Sequence, residues 1–213
     1  MVNSFYLDTV HGPHNNQAVY TVQTPVPDRV IICIHGRGAT AEPMLEIGQA
    51  SQGEYVAFAP QAAHYTWYPQ RFIELQSSNE PWLSSAIDVI AKLLVVAEER
   101  GFASEQVILT GFSQGACLVA EFVKRHPKKY RGVVLMSGGL IGTDVEVEQN
   151  CSGELHATPI YIGSDVADGH IPWQRAQQTA DCFTSCGANV TLEQYQDFGH
   201  AIHPHAVSYL STL

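Results

Sequence analysis

The chain has 213 residues, 45% of them hydrophobic and 15% charged, which is the composition of an ordinary globular domain with one substantial core. Asp and Glu outnumber Lys and Arg by 21 to 11, and the formal net charge of −10 argues against nucleic acid or anionic lipid surfaces as partners. No apolar run approaches the roughly 20 residues of a membrane span, and the N-terminus lacks the pattern of a signal peptide. We therefore expect a single domain over residues 1–213, located in the cytoplasm and without stable membrane insertion.

Strand and helix patterns alternate in the first half of the chain. The continuous β-branched run Val30–Ile34 is typical of a strand buried on both faces of a sheet. A short helix is predicted over Glu42–Ser51 and a second buried strand over Tyr55–Ala59. A long loop rich in aromatic and polar residues follows, from Gln61 to Asn79, and long loops inside compact domains are usually functional.

The same alternation continues in the second half. The predicted elements are a helix over Pro81–Arg100, a strand over Gln106–Thr110, a helix over Ala116–His126, strands over Val133–Met136 and Pro159–Ile162, a helix over Pro172–Cys186, a strand over Val190–Tyr195 and a helix over His205–Leu213. Strands that alternate with helices predict a mostly parallel sheet with helices on both faces. Ligands of such sheets bind beyond the carboxyl ends of the strands.

A candidate nucleophile lies between a predicted strand and a predicted helix. Gly111–Gly115 matches the pattern G-x-S-x-G, with Ser113 at its centre. In this context a tight turn holds the serine in a strained backbone conformation, and glycines at the flanking positions let strand and helix approach closely. The position at the helix N-terminus also favours developing negative charge. We therefore predict that Ser113 is a catalytic nucleophile.

A serine nucleophile needs a histidine base that is oriented by a carboxylate, and this kind of turn supplies them in the chain order Ser, Asp or Glu, His. Asp168 follows the strand predicted to end at Ile162, and His200 follows the strand predicted to end at Tyr195. Both therefore lie at the same sheet edge as Ser113. Asp165 lies in the same loop as Asp168 and is a competitor, although it could instead stabilise the turn.

Other polar residues near His200 have alternative interpretations. Asp197 is too close in sequence to orient that histidine easily. His203 and His205 stand where a helix begins and are predicted to stabilise its start. A metal site built from His200, His203 and His205 is a poor alternative, since no nearby carboxylate or thiolate would complete it.

The turn after the first buried strand, His35–Gly38, is a candidate oxyanion hole. A glycine-flanked turn can direct a backbone N–H towards the reacting carbonyl, together with the N–H of the residue after the nucleophile. These two donors would be the amides of Arg37 and Gln114. His35 is predicted to be a hydrogen-bonded structural histidine.

A set of apolar residues could form the wall of an acyl pocket, although core packing explains each of them equally well. These are Trp67, Tyr68, Phe72, Trp82, Leu140, Ile141, Ile171 and Trp173. The side chain of Arg37 could bind an anionic substrate group or, as readily, pair with Glu42 or Glu46.

Five cysteines are present: Cys33, Cys117, Cys151, Cys182 and Cys186. The odd number and the missing secretory signal predict reduced thiols. Cys182 and Cys186 are one helical turn apart, but a metal site would need further ligands at similar spacing. We expect no structural or redox role for these cysteines, and no metal.

Five segments of the sequence resemble one known family. They are His35–Gly38, Gly111–Ala116, Ser137–Leu140, Asp168–Pro172 and Gly199–His200, in order over nearly the whole chain. In these segments the chain resembles the phospholipase/carboxylesterase family, which includes the acyl-protein thioesterases. The stretches Trp67–Pro69 and Asn79–Trp82 look more like those of bacterial members. The resemblance implies an α/β-hydrolase fold with little or no lid, and cleavage of carboxylic esters or thioesters through an acyl-enzyme without a cofactor.

The same resemblance implies that Asp168, rather than Asp165, is the catalytic carboxylate. The family's catalytic aspartate stands just before a hydrophobic residue and a proline, which are Ile171 and Pro172 in this chain. Members of the family often pair through surfaces near the active site, so the resemblance also allows a homodimer.

We therefore predict a serine hydrolase that acts on small esters of short to medium acyl chains, with thioesters or lysophospholipids as related substrates. One rival is a peptidase or a dienelactone-hydrolase-like enzyme on the same fold, although the latter usually carries cysteine where this chain has Ser113. The other rival is a hydrolase-fold binding module without activity. Such modules typically lose one member of the triad, whereas Ser113, Asp168 and His200 are all present.

Overall fold

The computed structural model describes residues 1–149, 151 and 153–213. Its strands are β1 Asn3–Leu7, β2 Gln17–Gln23, β3 Arg29–Ile34, β4 Tyr55–Pro60, β5 Val107–Phe112, β6 Gly132–Met136, β7 Pro159–Asp165 and β8 Asn189–Tyr195. They form one eight-stranded sheet in the order β1-β2-β4-β3-β5-β6-β7-β8. Strand β2 is antiparallel to both neighbours, and the remaining pairs are parallel. This is the predicted α/β-hydrolase arrangement.

Helices cover both faces of this sheet. They are α1 Met44–Gln49, α2 Trp82–Glu99, α3 Gln114–Arg125, α4 Asp144–Val147, α5 Trp173–Ser185 and α6 Pro204–Tyr209. Apolar residues of α2, α3 and α5 pack into one core, and residues of α1 and α6 pack into a second core on the opposite face. The layers thus agree with the strand–helix alternation of the sequence.

Strand β3 shows why the central strands read as continuous apolar runs. Val30, Ile32 and Ile34 point into the larger core, whereas Ile31 and Cys33 point into the smaller one. Successive side chains of a strand face opposite sides of the sheet, so a strand with helices on both sides must be apolar at every position. All five residues are fully buried.

Helix α2 ends just before Gly101, as the sequence predicts. Gly101 has a φ of +89°, a conformation that suits glycine, and the N–H of Phe102 donates to the carbonyl of Ala97 at 3.0 Å. Helix α3 begins two residues earlier than predicted because Ser113 itself is its N-cap residue.

The sequence patterns did not reveal the two strands before β3. In β1 and β2 most residues are exposed or half-buried, and only Leu7 and Val19 are buried. Strands β1 and β2 lie at one end of the sheet. Their mixed composition lacks the apolar run that marks the central strands.

The expectation of five reduced cysteines was wrong. Cys151 and Cys186 form a disulfide, while Cys33 and Cys117 are buried free thiols and Cys182 is a half-buried one. The bonded residues are 35 positions apart, and the fold places their Cα atoms 5.9 Å from each other. This proximity arises only because the segment after α4 lies against the C-terminal end of α5.

None of the helices that the structure describes is long and apolar enough to cross a bilayer.

Candidate active site

Ser113 lies at the turn from β5 to α3 in a strained backbone conformation. Its φ is 55° and its ψ is −121°, a region that residues with a side chain rarely occupy. Its backbone N–H donates to the carbonyl of Met136 on the neighbouring strand at 2.9 Å, which fixes the turn to the sheet. The strain is therefore held by the surrounding structure.

The glycines on either side of Ser113 are required by close backbone approach. A Cβ atom on Gly111 would lie 2.5 Å from the carbonyl carbon of Gly115. A Cβ atom on Gly115 would lie 2.2 Å from the carbonyl oxygen of Ile34 on β3. Any side chain at either position would force the strand and the helix apart.

The structure brings together the three residues that the sequence suggested for a catalytic triad. Nε2 of His200 is 2.7 Å from Oγ of Ser113, and Nδ1 of His200 is 2.7 Å from Oδ2 of Asp168. A carboxylate accepts, so Nδ1 carries the proton and Nε2 is left to accept the hydroxyl proton of Ser113. The side chain of Asp168 is fully buried, whereas the ring of His200 is 19% exposed and accessible from the cavity.

Backbone donors hold Asp168 in place. Its Oδ1 accepts from the N–H groups of His170 at 2.8 Å and Ile171 at 3.1 Å, which leaves Oδ2 for His200. The ring of His170 also packs against that of His200, with centroids 4.6 Å apart. The carboxylate is thus oriented before any substrate binds.

Asp165 does not contact His200 but stabilises the turn, which is the alternative that the sequence left open. Its Oδ1 accepts from the N–H of Ala167 at 2.7 Å, and its Oδ2 accepts from the N–H groups of Phe198 and Gly199 at 2.7 and 3.1 Å. These backbone hydrogen bonds, that of Ala167 first, hold the pKa of Asp165 below its usual range. Asp165 therefore joins the loop after β7 to the loop that carries His200.

The two histidines after His200 form hydrogen bonds with other groups. His203 is the N-cap of α6 and accepts from the N–H of His205 at 3.2 Å, as its position in the sequence suggested. Nδ1 of His205 is 2.6 Å from Oε1 of Glu193 on β8. The three histidines therefore have separate partners rather than one common centre.

The two predicted oxyanion donors border the same cavity as Ser113. Arg37 lies outside helices and strands, and within the described part of the chain no group accepts a hydrogen bond from its backbone N–H. Gln114 is the first residue of α3, and the first N–H groups of a helix have no intrahelical acceptor. Both residues therefore border the cavity in front of Ser113.

The side chain of Gln114 has a role that sequence reasoning missed. Its Oε1 accepts from the N–H of Trp67 at 3.0 Å, and its Nε2 donates to the carbonyl of Tyr68 at 2.8 Å. One buried amide thereby fixes the long loop after β4 to the turn at Ser113. The only available signal was the position of Gln114 inside the motif itself.

Two buried histidines fix the same loop. Nε2 of His35 accepts from the N–H of Ala62 at 3.0 Å, which bears out its predicted structural role. His14, which the sequence did not single out, accepts from the N–H of Ala63 at 3.1 Å through Nδ1 and bonds the carbonyl of Trp67 at 2.9 Å through Nε2. Burial lowers the pKa of His35, and it lowers the pKa of His14 to about 4. Both rings are therefore neutral near pH 7.

A cavity of about 580 Å³ opens in front of Ser113, a size typical of small-molecule sites. Its lining includes Gly36, Arg37, Ala39, Tyr68, Pro69, Gln70, Arg71, Phe72, Phe112, Ser113, Gln114, Cys117, Gly169, His170, Ile171 and His200. Of the predicted pocket residues, Tyr68, Phe72 and Ile171 lie in this lining. They form an apolar wall beside the polar groups.

The other five predicted pocket residues lie outside the lining, so the pocket prediction was wrong for Trp67, Trp82, Leu140, Ile141 and Trp173. Trp67 is fully buried and donates through Nε1 to the carbonyl of His35 at 2.8 Å. Trp82 packs against the rings of His14 and His64, and Leu140 is fully buried. Ile141 is also fully buried, and Trp173 packs against the larger core, so core packing, the other interpretation that the sequence left open, describes all five side chains.

The guanidinium of Arg37 pairs with neither Glu42 nor Glu46. Its Nη1 donates to the carbonyl of Pro69 at 2.9 Å, and its Nη2 donates to the carbonyl of Gln70 at 2.7 Å. The side chain thus spans the rim of the cavity.

The sequence and the fold were compared with known proteins. The sequence profile described as phospholipase/carboxylesterase matches residues 14–212. The esterase YpfH of Escherichia coli is 24% identical over 206 residues, which are 89% of this chain and 84% of that protein. A probable carboxylesterase of rice is 29% identical, and the match covers 64% of this chain but only 52% of the rice protein.

The solved structures agree with the sequence matches. A phospholipase/carboxylesterase from Dyadobacter fermentans superposes with a TM-score of 0.85 at 28% identity, over 99% of this chain and 98% of that one. The family match spans nearly the whole sequence and contains Ser113, Asp168 and His200. The chain belongs to the phospholipase/carboxylesterase family.

Proposed function

We propose that this protein is a serine hydrolase that cleaves carboxylic esters through an acyl-enzyme on Ser113. The observation that carries the proposal is the unbroken hydrogen-bonded series from Ser113 through His200 to the buried Asp168, at the edge of a cavity. The names of the relatives, which are carboxylesterases and esterases, support the same class of reaction.

In the first half of the proposed reaction, His200 removes the proton of Ser113 as the hydroxyl oxygen attacks the ester carbonyl. Asp168 keeps the imidazole in the tautomer that can accept this proton and stabilises the cation that forms. The backbone N–H groups of Arg37 and Gln114 stabilise the oxyanion of the tetrahedral intermediate. His200 then protonates the leaving alcohol, and the acyl group stays on Ser113.

In the second half, His200 activates a water molecule that attacks the acyl-enzyme. The same oxyanion donors act again, and the acid is released with the hydroxyl of Ser113 restored. These groups supply the nucleophile, the base and the stabilisation of charge, so the proposed reaction needs no cofactor.

The cavity supports small substrates with short to medium acyl chains. Its volume of about 580 Å³ and the apolar wall of Tyr68, Phe72 and Ile171 suit an acyl group of modest length. Thioesters and lysophospholipids contain the same reacting carbonyl and are secondary candidates. We also propose a small-molecule ester, rather than nucleic acid or a membrane, as the partner of this acidic protein.

The test is hydrolysis of p-nitrophenyl esters from acetate to palmitate by the wild type and by Ser113→Ala. We expect the variant to lose activity by about 10⁴-fold or more with an unchanged melting temperature, and the wild-type rate to peak at short or medium chains. Ser211→Ala, the same change at an exposed serine, is the matched control and should behave as the wild type.

Two outcomes would favour the rival functions. A Ser113→Ala variant as active as the wild type would exclude Ser113 as the nucleophile. If no ester is cleaved, a fluorophosphonate probe separates the remaining possibilities: labelling of the wild type but not of Ser113→Ala indicates another scissile bond, such as a peptide. Absence of labelling indicates a binding module without activity.

A further inference from the structure

The charge of the cavity is opposite to that of the chain. Asp and Glu outnumber Lys and Arg by 21 to 11 in the sequence, yet two arginines, Arg37 and Arg71, line the cavity. Among the residues that the structure describes, no aspartate or glutamate belongs to this lining. In a chain with a net charge of −10, two arginines in a lining without a carboxylate favour an anionic ligand at this place.

The first of these cations is held in a defined position. The guanidinium of Arg37 donates to the carbonyls of Pro69 and Gln70, and it lies 5.8 Å from the centre of the Tyr68 ring. These acceptors are neutral, so the positive charge of Arg37 is not compensated by a carboxylate there. A guanidinium has five N–H groups, and those not used for the two carbonyls can bind an anion.

The second cation has a fixed backbone and an exposed side chain. Buried Asn79 accepts from the N–H of Gln70 at 2.8 Å through Oδ1, and its Nδ2 is 3.4 Å from the carbonyl oxygen of Arg71. The next residue, Phe72, accepts from the N–H of Gly142 at 2.7 Å. Within the described part of the chain no carboxylate forms an ion pair with Arg71.

We propose that Arg37 and Arg71 form an anion subsite, and that the substrate is an ester that carries a negatively charged oxyacid group. This inference rests on the proposed function and names its substrate class. The reacting carbonyl lies at Ser113, the apolar part packs against Tyr68 and Phe72, and the charged group reaches the arginines. Arginine binds carboxylate and phosphate oxygens through paired N–H donors, so either group satisfies the subsite.

The experiment compares kcat/KM within two pairs of esters that differ in one charged group. Monomethyl adipate and dimethyl adipate test a carboxylate on the acyl side. Butyryl-glycerol 3-phosphate and butyryl-glycerol test a phosphate on the alcohol side. We expect the wild type to prefer the anionic member of at least one pair by about 10-fold, and the preference to shrink when NaCl is raised to about 0.5 M.

Variants of Arg71 assign that preference to the subsite. Arg71→Gln should lower the anionic-to-neutral ratio by about fivefold, Arg71→Lys should retain most of it, and Arg71→Glu should invert it. The matched control is Arg100→Gln, which removes the same charge at an exposed arginine outside the cavity and should leave the ratio unchanged. The ratio is measured on one preparation, so loss of folded enzyme lowers both rates and does not alter it.

The outcomes separate this inference from the proposed function. Hydrolysis that depends on Ser113, without a preference for either anionic ester or with a preference that Arg71→Glu does not change, would overturn the subsite and leave the esterase standing. Failure to cleave any of the four esters would count against both, and the p-nitrophenyl series then decides whether the esterase survives. A preference in one pair alone identifies the acyl side or the alcohol side as the source of the charge.

Discussion

Asp165 and Asp168 show how backbone donors give two neighbouring carboxylates different tasks. Asp165 accepts three backbone N–H groups, which occupy both of its oxygens. Asp168 accepts two, both on Oδ1, and its free Oδ2 meets His200. The two residues are the same amino acid three positions apart: Asp165 ends β7, and Asp168 lies in the loop that follows. The difference lies in which N–H groups the folded loop directs at them.

Substitution of the two aspartates by asparagine should separate these tasks. We expect Asp168→Asn to lower kcat by roughly 10³- to 10⁴-fold with little change in melting temperature, because an amide favours the wrong tautomer of His200. Asp165→Asn should lower the melting temperature more and kcat less, because an amide satisfies fewer of the three donors. Ester kinetics and thermal unfolding of both variants check this. A larger loss of kcat in Asp165→Asn would show that the roles are reversed.

At the scale of elements, the long loop after β4 is held by side chains from distant parts of the chain. His14 precedes β2, His35 follows β3 and Gln114 opens α3, and each bonds backbone groups of this loop. An irregular segment inside a compact domain needs such partners for its buried N–H and C=O groups. The loop that forms part of the cavity rim is therefore anchored by hydrogen bonds from three distant parts of the chain.

Helix α5 connects two other features. The loop before it carries Asp168, and its C-terminal end leads to Cys186, which is bonded to Cys151. The free thiol of Cys182 lies close to this disulfide, with the three sulfur atoms within 4.8 Å of one another. The disulfide thus fastens the end of α5 that lies away from the loop that carries Asp168.

Removal of the disulfide should reduce stability more than activity. The bond joins residues 35 positions apart, so Cys151→Ser with Cys186→Ser should lower the free energy of unfolding by roughly 4 kcal/mol in urea titrations. Cys182→Ser is the control and should keep most of the stability. Alkylation of the native protein should modify Cys182 first, because Cys33 and Cys117 are buried. Rapid labelling of Cys151 and Cys186 without reductant would contradict the bond.

At the scale of the whole molecule, the sheet divides the interior into two cores, and some of the buried polar groups lie where loops meet the site. The neutral His14 and His35 are examples, and they make stability depend on pH. A histidine whose pKa is lower in the folded state than in the unfolded state binds its proton more readily when unfolded. Its stabilising effect is complete above about pH 6.5 and declines as the pH falls towards about 4.

We therefore expect the free energy of unfolding to fall by about 3 kcal/mol between pH 7 and pH 4 on account of His14 alone. His14→Gln should be less stable at pH 7 and should show a flatter pH dependence in urea titrations. The control His156→Asn changes an exposed histidine and should keep the wild-type slope. An unchanged slope in His14→Gln would exclude this residue as the cause.

The homodimer that the family resemblance allows stays a prediction, and sedimentation of the wild type would test it.

Local sequence determined several strands, helices and turns of this protein, because each of these depends on consecutive residues. The apolar run Val30–Ile34 predicted a buried strand, and the glycines on either side of Ser113 predicted a turn that only glycine permits. The order Ser113, Asp168, His200 placed three polar residues at one edge of a parallel sheet, where the structure finds them joined by hydrogen bonds.

Tertiary structure alone decided what depends on residues far apart in the chain. The partner of Cys186 is 35 positions away, His14 meets Trp67, and Arg37 reaches past its neighbouring glutamates to the carbonyls of Pro69 and Gln70. Which aromatic residues line the cavity was also undecided, since an apolar side chain fits a core and a pocket wall equally well. No periodicity along the sequence encodes these contacts, because they arise only when the sheet, its helices and the long loop are packed together.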